Sequence, residues 1–161
     1  YVAAEAIAPG RGTVVTSLDL TGQVRWLTRV VAQPVGGVGT ADAMPQSIAL
    51  GKAGGGVFVT GWTNGVMPGQ GSEGGEDIFV LRCEVADGAL TWVRQIGSTP
   101  QGVSTDDLDD AGNGIAVNAA GDVLVAGVVR GLLGSPRQPP RNRGIEDWFI
   151  ARFRSADGVL Q

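Results

Sequence analysis

Short runs rich in Val, Ile, Leu and Phe, each bounded by Gly, Asp, Asn or Pro, succeed one another along the chain. That pattern predicts β-strands rather than helices. The expected strands are residues 13–20, 24–30, 46–50, 57–62, 78–85, 90–96, 114–117, 123–128 and 148–154, with a last strand starting at Val159. Within 24–30, Val24, Trp26, Thr28 and Val30 share one face and Arg25, Leu27 and Arg29 the other, as on a strand with one wetter side. Segments 57–61 and 123–127 are apolar on both faces, which suits a strand sandwiched between neighbouring sheets.

The strands repeat in order. TVVTSLDLTGQVRWLTRV (13–30) aligns without gaps onto FVLRCEVADGALTWVRQI (79–96), placing Gly22 on Gly88 and Trp26 on Trp92. A third copy, DWFIARFRSADGVLQ from Asp147, matches DIFVLRCEVADGALT from Asp77. SIALGKAGGGVFVTG (47–61) likewise matches GIAVNAAGDVLVAG (114–127) apart from one extra Gly. Each repeat therefore offers four strands, and Thr21-Gly22, Asp87-Gly88, Asp157-Gly158 and Gly121-Asp122 supply the residues that tight hairpins require. Asp42 and Asp109 precede the first strands of their repeats, where an Asx-type turn is expected. The predicted fold is all-β, with propeller-like blades of four antiparallel strands: a complete blade at 46–96 and partial blades at 1–30 and 114–161. About two and a half repeats are too few to close a ring, so the expectation is an incomplete propeller. The chain starts at Tyr1, inside an apparent strand and without an initiating Met, and reads as an excerpt.

Composition agrees with this class: 27 Gly and 8 Pro supply turns, and 43% hydrophobic residues supply a core. A net charge of −4 argues against a general nucleic-acid surface, which needs clustered Lys and Arg. Arg137, Arg141 and Arg143 form the one local basic group, in a Pro-rich loop. The single cysteine, Cys83, leaves no intrachain disulfide. The absence of histidine removes the commonest general base and metal ligand. No apolar run approaches the length of a membrane span.

The ordered series Asp77, Phe79, Gly88, Trp92, Gly97, Asp109, Ile115, Ala116, Val117, Gly121, Val125, Gly127 resembles the bacterial β-propeller repeats known as SBBP repeats, over nearly the whole chain. That resemblance implies a secreted or cell-surface repeat domain without enzyme activity, and it carries over no catalytic residues. Its departures are the long loops 63–76 and 132–146. Thr21, Gly22 and Trp26 also resemble the quinoprotein-type (PQQ) propeller repeat, although Asp19 lies one residue too close to the Gly and Glu84 replaces it in the next copy. A fragment of a quinoprotein-like dehydrogenase is thus the alternative reading.

Few residues invite chemistry. In STDDLDDAGNG (104–114), Asp106, Asp107, Asp109 and Asp110 imitate a Ca²⁺ loop, but Ala111 and Asn118 fall where ligands are needed. A solvated connecting loop accounts for them better. The pairs Glu76-Asp77 and Glu146-Asp147 recur at strand starts, which points to a turn or inter-blade contact rather than a catalytic pair. Cys83 shares a face with Phe79, Leu81 and Val85 and reads as core, as do Trp26 and Trp92. Trp62, beside a long loop, is the aromatic expected to be exposed. With Arg137, Arg141 and Arg143 it makes up the candidate contact surface for a protein or glycan. The remaining expected partners are neighbouring blades of a longer chain or further copies in a homo-oligomer. No catalytic or cofactor-binding residue is assigned, and Ca²⁺ is the sole cofactor candidate.

Overall fold

The computed structural model describes residues 2–6, 10–99, 108–133 and 146–161. Among the described residues, ten antiparallel strands form three sheets, with two three-residue 3-10 turns between strands. The first sheet is β1 (Val2–Ala6), β2 (Gly12–Leu18) and β3 (Val24–Val30). The second is β4 (Ala43–Leu50), β5 (Val57–Thr63), β6 (Asp77–Cys83) and β7 (Leu90–Ile96). The third is β8 (Ala111–Val117), β9 (Val123–Val129) and β10 (Asp147–Phe153), with Leu160 bridging back to Phe153. Strand order follows chain order in every sheet, and none closes into a barrel.

The sheets stack face to face. Val57, Val59, Phe79, Leu81 and Cys83 of the second sheet pack with Val15, Trp26 and Val30 of the first. Its opposite face, with Phe58, Ile78, Val80 and Trp92, packs with Val123, Val125, Ala151 and Phe153 of the third. The alternation of faces along β5 and β6 therefore feeds two cores at once, which is why 57–60 is fully buried throughout, with the Thr60 hydroxyl donating to the Phe79 carbonyl. Each large side chain sealed in these layers stabilises the fold by about 1.5–3 kcal/mol.

The first strands of the second and third sheets start earlier than their apolar runs suggest, at Ala43 and Ala111, because both continue through a bulge. Pro45 pairs with Gly61 and Ser47 with Thr60, leaving Gln46 extra; Gly112 pairs with Gly127 and Gly114 with Ala126, leaving Asn113 extra. The bulge drives a backbone carbonyl against the neighbouring strand. A Cβ on Gly61 would collide with the Met44 carbonyl oxygen, and one on Gly127 with that of Ala111. The recurring Gly that ends the Val-rich strand is thus a steric requirement of the bulge.

The first hairpin corrects the gapless alignment. Asp19 N–H bonds the Gln23 carbonyl, whereas Glu84 reaches Ala89 and Arg154 reaches Val159, so the first hairpin is one residue shorter. In the ladders Thr13 faces Val30 as Ile78 faces Ile96, so Thr13 is the counterpart of Ile78 and not of Phe79. Asp19 Oδ1 closes the short turn by accepting from the N–H groups of Thr21 and Gln23 and from the Thr21 hydroxyl.

Candidate functional site

The polar residues with recognisable chemistry gather where one sheet meets the next, and they recur there. Trp26 on β3 donates its indole N–H to the Val85 carbonyl at 3.0 Å, and Trp92 on β7 donates to the Ser155 carbonyl at 2.9 Å. Val85 and Ser155 hold the same place in the hairpins after β6 and β10. The two rings lie against Gly88 and Gly158, where any Cβ would enter the indole. Beside them Thr28 Oγ1 donates to the Gly88 carbonyl, and Arg94, at the matching position, donates to the Asp157 carbonyl.

The opposite edge of each seam carries a second clasp. Gln33, in the connector after β3, pairs both backbone groups with Val66, at 2.8 and 2.7 Å. Thr99, after β7, pairs in the same way with Leu132, both bonds at 3.0 Å. A third clasp joins Ala43 N–H to the Arg11 carbonyl and Asp110 N–H to the Glu76 carbonyl, each at 2.7 Å.

The loop from 64 to 76 belongs to this clasp system. Met67 is fully buried and takes the Gln95 side-chain oxygen at its N–H, while Gln95 Nε2 donates to the Gly65 carbonyl and to Asp77 Oδ2. This loop, one of the departures from the resembled repeat, is largely spent on holding the first two sheets together.

The carboxylates are engaged within the chain as well. Asp42 does not form the expected Asx-type turn; it grips Arg11 of the preceding sheet through that residue's backbone N–H (2.9 Å) and guanidinium (2.7 and 3.1 Å). These bonds hold its carboxyl below the ordinary carboxylate value. Asp109 pairs with the Arg130 guanidinium at 3.2 Å. Asp110 is buried and accepts from Ser98 N–H and hydroxyl and from Arg130 N–H; burial nonetheless pushes its carboxyl up. Asp77 is also buried and raised chiefly by desolvation, with Oδ2 bonded to Gln95 and Glu73 N–H and Oδ1 unpartnered against Gly97. Burial raises Glu76 too, with the nearby Asp109 charge adding to it.

Of the Ca²⁺ candidates, Asp109 and Asp110 are both engaged within the chain, Asp109 by the Arg130 guanidinium and Asp110 by Ser98 and the Arg130 N–H, and Asp106 and Asp107 lie outside the described residues. Among the described residues no group of three or more His, Cys, Asp or Glu side chains is placed to hold a metal ion. Arg137, Arg141 and Arg143 also lie outside the described residues. Cys83 is buried in the first seam, and desolvation pushes its thiol up to about 11, which suits a core residue and not a nucleophile.

Trp62 is half-buried in β5, opposite Ile78. The aromatic standing free is Trp148 on β10, 81% exposed beside Ile150 at 80%. Sequence reasoning missed it because Trp148 and Ile150 occupy the positions of Ile78 and Val80, which are sealed in the second seam. Two shallow clefts sit at the seam edges, of about 270 Å³ beside Arg29, Gln33 and Thr40 and about 330 Å³ beside Glu73, Gln95 and Thr99. No helix among the described residues is long and apolar enough to cross a membrane. Compared with known proteins, the chain matches no family model and no curated protein.

Proposed function

We propose that this chain is a non-enzymatic β-propeller-type repeat module, a scaffold in a secreted or cell-surface protein that presents loops to a protein or glycan partner. The observation that carries this reading is the use made of its chemical side chains. Trp26, Trp92, Asp42 and Asp110 hold one sheet to the next, Asp77 and Gln95 brace the loop that pairs with Gln33, and the Trp clasp occurs once per seam. Repetition fits a structural duty, whereas a reaction centre is needed once.

The contact surface on this reading is the basic loop bearing Arg137, Arg141 and Arg143, together with the half-exposed Trp62. A glycan array probed with the wild-type chain tests it. Anionic-glycan binding that is lost in the triple Arg→Ala variant supports the surface; binding that survives both this variant and Trp62→Ala overturns it.

The short turn in which Asp19 caps Thr21 and Gln23 favours one second reading, a quinoprotein-type blade. Dye reduction by the chain supplied with a quinone cofactor and Ca²⁺ would establish that reading in place of the first.

A further inference from the structure

We infer that Asn113 is a site of spontaneous covalent modification in the folded chain, deamidating through the backbone nitrogen of Gly114, and that the fold protects the other Asn-Gly pair, Asn64-Gly65. Glycine obstructs this reaction least, because it has no Cβ to shield its nitrogen. The two sites are matched in sequence, Asn64-Gly65-Val66 and Asn113-Gly114-Ile115, each pair followed by a β-branched residue. The fold treats them differently. Asn113 is the extra residue of the β8 bulge, with no ladder partner opposite, and it is exposed. Among the described residues none hydrogen-bonds its side-chain amide. Gln46, the extra residue of the matching bulge in β4, is exposed as well although the third sheet covers its own, so this exposure belongs to the bulge and not to the open face of the third sheet.

At Asn64 the same atoms are tied down. Its Oδ1 accepts from the Asp42 N–H at 2.7 Å, and its own N–H donates to the Asp42 carbonyl at 3.3 Å. The Gly65 N–H, whose nitrogen would have to attack, is buried and donates to Thr63 Oγ1 at 3.1 Å. A Cβ on Gly65 would strike Ala41 and the Gln33 carbonyl, whereas one on Gly114 meets nothing within 4 Å, so only Asn113 has room for the ring to close. In that step the Gly114 nitrogen bonds to Asn113 Cγ. The bond from Cγ to the amide nitrogen breaks, the Gly114 proton passes through water to the departing nitrogen, and ammonia leaves a five-membered succinimide. Water then opens either carbonyl of the ring to give aspartate or isoaspartate, with no oxidant or reductant involved. Either product puts a carboxylate on the bulge, close along the chain to Ile115, whose N–H bonds Ser47 Oγ across the seam at 3.3 Å.

Peptide mapping by tandem mass spectrometry, on the whole chain held at mildly alkaline pH in heavy-oxygen water, tests this. In the folded chain Asn113 is expected to take up the label as acid at least about tenfold faster than Asn64, which reacts only when its hydrogen-bonded loop opens. In concentrated urea the two sites should react at similar rates, since their sequences match. Gly114→Ala fits the open space and should slow Asn113 in the folded chain, with the circular dichroism and the Asn64 rate unchanged. Asn113 that stays intact in the folded chain while reacting in urea, or Asn64 that keeps pace with it in the folded chain, would overturn the inference. An undiminished rate in Gly114→Ala would overturn the route through that nitrogen.

Discussion

The indole N–H of Trp26 ends on the carbonyl of Val85, 59 residues further along, and the ring covers Gly88 in the same hairpin. Trp92 and Ser155 repeat this contact one sheet later. Each outer-strand Trp therefore fastens its own sheet to the hairpin of the next.

Trp26→Phe keeps most of the ring and removes the donor, so it should cost about 1 kcal/mol. Trp26→Ala removes the ring as well and should cost about 3–5 kcal/mol. Urea unfolding followed by circular dichroism measures both. Equal losses in the two variants would mean that the ring packing contributes nothing.

Gly61→Ala places a methyl group into the Met44 carbonyl, with backbone on both sides and nothing flexible to yield. It should destabilise by about 3 kcal/mol or more, at the upper end of overpacking effects. Gly22→Ala meets open space and bears only the strain of its positive φ, about 1 kcal/mol. Comparison of the two midpoints of unfolding checks the order.

Burial lifts the Asp77 carboxyl above its ordinary 3.8, so the folded chain still binds that proton where the unfolded chain has released it. The stability linked to that proton is complete below about pH 3.8 and is lost as pH rises through the raised pKa. Asp77→Asn cannot titrate. The melting temperature of the wild-type chain should therefore fall relative to this variant between pH 3.5 and 7, as read by calorimetry. Parallel profiles would show that Asp77 does not titrate differently on folding.

The strands, their order and their grouping were legible because alternation and turn residues are local signals. Cys83 as a core residue was legible from its neighbours on one face. The bulges were not, since Gln46 and Asn113 carry no mark that they are the extra residue. The clasps were also hidden. Trp26 to Val85 and Gln33 to Val66 join residues 59 and 33 apart, and comparing repeats reveals what recurs but not what touches across the seam. Asp42 looked like a local turn former for the same reason: its partner Arg11 lies 31 residues back, in another sheet. Trp148 was overlooked because its exposure depends on what lies over the sheet, not on its own strand.

The most direct test of clasped, equivalent sheets is hydrogen exchange of the four indole N–H groups by two-dimensional NMR, at concentrations where the chain is monomeric. Trp26 and Trp92 should exchange slowly and to a similar degree, and Trp148 at close to the rate of a free indole. Exchange at Trp26 and Trp92 as fast as at Trp148 would contradict the account.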